Sequence, residues 1–209
     1  GLIQAGVSFI LDKVNWKADA ATNTDAQSAA VNLGDRSAAT NTGDLSAAMN
    51  TGDRSAAVST GDYSAVVNSG DYSAAMNTGY RSAAVNSGFQ SAAVNSGIGS
   101  AAVNSGIQSA AVNSGFQSAA VNSGTRSAAV NSGTGSAAEV SNGDSVAIVT
   151  GYNSKAKAGL GSAIVIAERG DWNGKTYPLN NIKAAIVDGE KIKADTWYTL
   201  KNGEFVECD

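Results

Sequence analysis

Apolar and polar residues follow one nine-residue phrase along most of this chain. Serine stands at residue 28 and at every ninth residue as far as 154. Thirteen copies fill residues 28–144, and most fit S-A-A-[VMT]-N-[ST]-G-x-x. A degenerate copy, DAATNTDAQ, precedes them at Asp19, and two decayed ones, SVAIVTGYN and SKAKAGLG, follow from Ser145. Glycine at this spacing would interrupt any helix. The phrase instead predicts a short strand, S-A-A-V-N, and a four-residue turn, [ST]-G-x-x. Along a strand, positions 1, 3 and 5 share one face and positions 2 and 4 the other. In the copy at Ser145, positions 2 and 4 are Val146 and Ile148. On that sign, positions 2 and 4 (Ala and Val/Met/Thr) are expected inside, and Ser, Ala and Asn outside. The glycine at position 7 is expected to supply a positive φ to the turn.

Self-similarity at so short a period signals stacked repeats. The expected fold is all-β: a β-solenoid, or β-roll, over residues 19–161. An interior of Ala and Val suits two close sheets, hence about two nonads per coil. Three nonads per coil is the alternative, but it leaves a triangular void that such side chains fill poorly. Seven coils at about 4.8 Å each give a rod of roughly 34 Å. The rod ends would be adhesive sheet edges unless blocked. Over residues 1–18, Ile3, Val7, Ile10, Leu11 and Val14 fall at helical spacing and predict a short helical cap. Residues 162–209 change composition. The buried strand SAIVIAE precedes the turn pairs Asn173-Gly174, Asp188-Gly189 and Asn202-Gly203, which predict a small antiparallel β cap.

The tail VDGEKIKADTWYTLKNGEFVE (residues 187–207), following SAAxN[ST]G repeats, resembles an uncharacterised family of nonapeptide-repeat proteins in gut bacteria and their phages. The resemblance covers most of residues 28–207 and is specific in the tail. It implies the same architecture and a microbial source, and it brings no activity with it. Members of that family often carry a further N-terminal domain.

Composition narrows the functional classes. Net charge is −4, and Lys and Arg total only 14, too few for the basic stripes that displace counterions from nucleic acid. The absence of histidine removes the commonest general base and transition-metal ligand. A single cysteine, Cys208, allows no internal disulfide. The longest apolar run, GVSFIL (residues 6–11), is too short to cross a bilayer, so no membrane insertion is expected. No cofactor is expected.

Three features carry candidate chemistry. Position 8 is aspartate at Asp35, Asp44, Asp53, Asp62 and Asp71. One coil apart, like charges repel by roughly 1 kcal/mol in water. Calcium could neutralise them, as in the rolls built on G-G-x-G-x-D-x-U-x. The paired glycines of those rolls are missing here, however, and one carboxylate per turn is few for calcium. A solvated turn residue, balanced by Arg36 and Arg54, is the simpler reading. Further along, position 8 becomes Tyr80, Phe89, Ile98, Ile107 and Phe116, making two apolar edge columns. Either these side chains fold over the turns as a ladder, or they contact a subunit or a sugar ring. The third feature is the flat outward face of small residues. Such lattices resemble the ice-binding faces of antifreeze solenoids, although those present ranks of Thr. A flat face also packs against a copy of itself.

Two short motifs are weaker. RGD at 169–171 matches an integrin-binding tripeptide, and Ser154 with Lys157 has the S-x-x-K spacing of a known nucleophile. The expectation is therefore a non-enzymatic structural or surface-presenting solenoid, a homo-oligomer and most simply a dimer. The alternative is a ligand-binding solenoid for ice, a glycan or calcium. The compartment stays open, with an extracellular or phage-associated setting compatible.

Overall fold

A computed structural model describes residues 20–209. The helical cap expected within residues 1–18 lies outside the described residues. The rest forms an all-β solenoid whose first sixteen strands, numbered in chain order, begin every nine residues. The seventeenth begins eight residues later, and these strands alternate between two sheets. The odd sheet takes β1 (Ala20–Asn23), β3 (Ala38–Asn41), β5 (Ala56–Ser59), β7 (Ala74–Asn77), β9 (Ala92–Asn95), β11 (Ala110–Asn113), β13 (Ala128–Asn131), β15 (Val146–Val149) and the longer β17 (Ala163–Arg169). Facing it, the even sheet takes β2 (Ala29–Asn32), β4 (Ala47–Asn50), β6 (Ala65–Asn68), β8 (Ala83–Asn86), β10 (Ala101–Asn104), β12 (Ala119–Asn122), β14 (Ala137–Val140) and β16 (Lys155–Ala158). Pairing within these runs is parallel and in register, as in Ala110↔Ala92 and Val112↔Val94. Two nonads therefore make one coil. From β1 to β17 the odd sheet climbs eight steps, about 38 Å.

The faces are the reverse of the sequence expectation. Positions 1, 3 and 5 point inward, and positions 2 and 4 lie on the outer surface. Position 3 is fully buried alanine from Ala39 to Ala129, with Val66 its one larger occupant. Ser and Asn belong inside because each finds partners there, which removes the penalty for burying a polar group. The Asn86 Oδ1 accepts the Gly88 N–H at 2.9 Å. Its Nδ2 donates to the Ser73 carbonyl at 3.1 Å and the Ala92 carbonyl at 3.0 Å. Serine forms a second ladder. The Ser82 Oγ accepts the Ser64 N–H at 2.8 Å and donates to the Tyr80 carbonyl at 3.0 Å. Among the described residues, no buried side-chain nitrogen or oxygen lacks a partner.

Glycine at position 7 also has a different reason from the expected one. A Cβ on Gly106 would lie 1.8 Å from the Gly88 carbonyl oxygen, in the coil beneath. Glycine is there because successive turns stack backbone on backbone. Positive φ falls on position 9 instead, as at Arg54 (57°), Tyr72 (57°) and Gln108 (57°). This left-handed geometry costs about 1–2 kcal/mol for a side-chain-bearing residue. It aims the amide at the next coil: Arg54 N–H donates to the Asp71 carbonyl at 2.8 Å, and Gln108 N–H to Thr125 at 3.0 Å.

The interior changes character toward the C-terminal end. Val140 and Val149 replace Asn at position 5, and Ile164, Ile166, Val187, Tyr198 and Leu200 complete an apolar core. The antiparallel cap forms there as expected. Strand β18 (Leu179–Ile186) pairs antiparallel with β17. Strand β19 (Trp197–Lys201) pairs antiparallel with β16, and β20 (Glu204–Cys208) with β19. Of the three turn pairs, only Asn202-Gly203, with φ of 52° and 75°, closes a two-residue hairpin. The Asp188 carboxylate instead caps the amides of Glu190, Lys191 and Ile192, and the Asn173 side chain caps those of Lys175 and Thr176. Glu168 joins the two halves of the cap. It accepts the backbone N–H of Asn202 and Gly203 and the side-chain amide of Asn181. Those bonds, the one from Gly203 foremost, hold its carboxyl below the usual glutamate range.

Gly106→Ala should destabilise by about 3 kcal/mol or more through overpacking. At Gly99, which already has φ 64° and whose Cβ would meet only the Arg81 side chain at 3.5 Å, Ala should cost about 1 kcal/mol. Urea unfolding compares the two directly. Asparagine at position 5 gives a second contrast. Asn104→Asp sets carboxylate oxygens against the Ser91 and Ala110 carbonyls that Nδ2 now serves, and should cost about 3 kcal/mol or more. Asn104→Ser should cost about 1 kcal/mol, because Ser59 already fills this role and accepts the Gly61 N–H. Equal midpoints for Asp and Ser would contradict the ladder.

The sign of the Glu168 shift sets a pH dependence. A lowered folded-state pKa gives a contribution present above the ordinary glutamate range and lost as pH falls through the lowered value. Exchange of the Asn202 and Gly203 amides should therefore accelerate beyond its intrinsic rate below about pH 4. In Glu168→Ala these amides should lack protection at neutral pH as well.

Candidate interaction faces and edges

Position 8 stands at the turn tips. Asp35, Asp44, Asp53, Asp62 and Asp71 share one bonding pattern, in which a carboxylate oxygen accepts the amide of position 8 one coil on. The bonds run from Asp53 N–H to Asp35 (3.0 Å), Asp62 to Asp44 (2.9 Å), Asp71 to Asp53 (2.9 Å), Tyr80 to Asp62 (2.8 Å) and Phe89 to Asp71 (2.8 Å). The aspartate ladder thus has a backbone purpose. Among the described residues, no group of three or more acidic, His or Cys side chains could hold a metal ion.

The apolar columns divide between the edges. Tyr80, Ile98 and Phe116 follow one another at the odd-to-even turns, and Phe89 and Ile107 at the even-to-odd turns. Part of the series forms a ladder: Tyr63 meets Tyr80 edge-on at 5.8 Å, and Tyr72 meets Phe89 edge-on at 5.9 Å. Phe89 is half-buried, whereas Ile98, Ile107 and Phe116 are about half exposed (50, 49 and 46%). Arginines cover the first rings, with Arg81 5.1 Å over Tyr80 and Arg54 5.9 Å over Tyr72.

The outer faces carry Ala at position 2 and mainly Val at position 4, half-buried between neighbours. They differ in charge. From β3 to β15 the outward positions of the odd sheet hold Ala, Val, Thr, Met and Ile and no ionisable group. Strand β18 extends this surface, because register sets Ile186 beside Ala163, Ala184 beside Val165 and Ile182 beside Ala167. Ile182 and Ile186 are 61 and 69% exposed. A trough runs along its margin, walled by the position-9 side chains of Arg54, Tyr72, Gln90, Gln108 and Arg126. The even face ends in charge: Lys157 pairs with Glu139 at 3.0 Å, and Lys155 and Lys157 each lie 4.8 Å over the Trp197 ring.

The remaining sequence candidates separate. Arg169 is spent on the Thr150 and Tyr177 carbonyls and Asp171 on the Tyr152 hydroxyl, so the RGD side chains are engaged within the fold. Ser154 lies inside, bonded to the Gly133 carbonyl, while Lys157 lies outside on Glu139, so the S-x-x-K pair does not assemble. Burial raises the Cys208 thiol pKa. Sequence reasoning missed the apolar outer faces and an aromatic knot of Tyr152, Trp172 and Tyr177. The signal for the faces was present: position 4 accepts Glu139 and Lys157, which only an outward position tolerates. Compared with known proteins, the chain matches no family model, no curated protein and no solved structure.

Proposed function

We propose that this chain is a non-catalytic, surface-presenting scaffold that self-associates through the outer face of its odd sheet. The carrying observation is that face's unbroken apolar lattice, which reaches the exposed Ile182 and Ile186 of β18. Contiguous apolar surface of this kind marks an interaction site. A face about 38 Å long and one short strand wide offers roughly 500 Å² per partner, close to the smallest specific interfaces, before β18 and the trough walls add to it. Small side chains in exact rows allow close sheet-on-sheet contact, and a two-fold arrangement presents the same patch from both copies. The charged end of the even face makes it the poorer partner. Ice binding draws on the same lattice but ranks second, since the outward rows hold Ala and Val more than Thr. The position-1 serines support the non-catalytic reading, because their hydroxyls are engaged in the interior ladder.

Sedimentation equilibrium tests this. Wild type should be a dimer at about 100 µM, where contacts of micromolar affinity are occupied. Val94→Lys with Val112→Lys, on the odd face, should give a monomer. Val103→Lys with Val121→Lys, on the even face, should leave the dimer intact. A monomeric wild type, an unchanged odd-face variant, or a dimer lost only in Phe89→Asp with Phe116→Asp would each overturn the assignment.

A further inference from the structure

The loop between β17 and β18 holds an indole in solvent at a rigid site. Trp172 is 57% exposed, and its ring lies 5.2 Å from that of Tyr177. Tyr177 stacks on Tyr152 at 4.3 Å with the planes 18° apart. The residues around the indole are anchored. The Tyr152 hydroxyl donates to Asp171 at 2.8 Å, Arg169 holds the Tyr177 carbonyl at 2.9 Å, and the Asn173 side chain caps the next turn. A loop needs no such rigidity to connect two strands, and an exposed indole gains nothing from water.

Beside the rings the edge column steps down. Position 8 falls from Phe116 to Thr134, with Gly135 next to it, before rising again to Tyr152. The step leaves a cavity of about 260 Å³ bounded by Thr134, Thr150, Tyr152, Trp172, Lys175 and Tyr177. That is below the roughly 300–1,000 Å³ of sites for drug-sized ligands. One wall is aromatic, while hydroxyls and an ammonium group supply hydrogen-bonding chemistry around it.

We propose that this cavity is a carbohydrate site that takes one neutral pyranose residue, with its apolar C–H face on Trp172 and its hydroxyls toward Thr134, Thr150 and Lys175. The matching is chemical: a pyranose has an apolar face and a hydroxyl rim, as the cavity has an aromatic wall and a polar surround. A peptide side chain would use the ring and leave the polar groups unmatched. A neutral sugar suffices, because Arg169 is already bonded to the Thr150 and Tyr177 carbonyls and the hydroxyls of Thr134 and Thr150 with Lys175 provide polar groups for a hydroxyl rim. Preorganised rings lower the ordering cost that otherwise weakens small-ligand binding. The site is separate from the odd-face contact and does not depend on self-association.

Nitrogen-15-labelled protein titrated with the methyl β-glycosides of glucose, galactose, mannose and N-acetylglucosamine tests the assignment. With at least one glycoside, the Trp172 indole N–H should shift saturably in the millimolar range, and the Trp197 indole should not move. Trp172→Ala should weaken that binding by about tenfold or more while melting as wild type does, and Trp172→Phe should retain part of it. No saturable shift with any of the four, equal shifts at Trp197, or full binding in a folded Trp172→Ala variant would overturn the assignment.

Discussion

From Asn41 to Asn131 each buried asparagine at position 5 ties three backbone groups around one turn, and the solenoid depends on that tie. A chain that reverses direction every nine residues must leave amides and carbonyls inside its corners. A buried amide side chain without partners would cost several kcal/mol. With an N–H accepted and two carbonyls served, as at Asn86, it closes the corner instead. One of those carbonyls belongs to the following strand in the opposite sheet, so the same residue also holds the sheets together. Between them the interior has room for alanine at almost every rung. Glycine at position 7 answers a separate demand, the contact of stacked turns. Where Val149 replaces Asn, Gly151 still meets the Gly133 carbonyl, at 2.0 Å from where a Cβ would stand.

Much of this architecture was legible in the letters. The nine-residue period and the strand and turn segments follow from spacing and turn chemistry, whereas preferring two nonads per coil to three rests on the size of an Ala and Val interior that is in fact Ser, Ala and Asn. Orientation did not, because the copy at Ser145 misleads. Val146 and Ile148 lie outward on an apolar surface, while Val149 is the buried valine. Hydrophobicity decides a strand's inner face only where the alternative face is polar. In this array the more polar letters are the interior ones, since Ser and Asn exchange hydrogen bonds with the turns. The position of positive φ was illegible for a similar reason. Glycine is the usual sign of a left-handed residue, yet here it marks crowding, and tyrosine, arginine and glutamine carry the strain. Of the site residues, the edge columns could be placed by counting. The aromatic knot could not, because Tyr152 and Tyr177 meet only through the course of the β17–β18 loop.

The C-terminal end shows how a parallel stack is finished. A parallel solenoid presents two open edges at each end, and open edges recruit other chains. Here both sheets reverse direction, through β18 on one side and the β19–β20 hairpin on the other. Lys183 on β18 reaches the Gly203 carbonyl and the Glu204 carboxylate, which links the terminal strands of the two sheets. The core becomes apolar in the same region. The antiparallel strands bring no Asn ladder, so Ile164, Ile166, Tyr198 and Leu200 provide the burial that hydrogen bonds supply along the array.

Because the ladder lies wholly inside, the outward positions are free of structural duty. Glu139, Lys155 and Lys157 demonstrate this, since they occupy outward positions of β14 and β16 without changing register. The coil therefore tolerates charge on its faces. Eight strands of the odd sheet, β3 to β17, together with Ile182, Ala184 and Ile186 of β18, avoid charge on theirs apart from Glu168 and Arg169 at the end of β17. Backbone geometry does not impose that restriction, and neither does solubility, which apolar surface opposes. A contact on that face would impose it, since one lysine buried there without a partner would cost more than the whole row of alanines contributes. The same reasoning applies to Trp172, an exposed indole that the cap needs for neither of its strand pairings. In a scaffold whose interior fixes so few letters, the unforced outward choices are the ones that carry information about function.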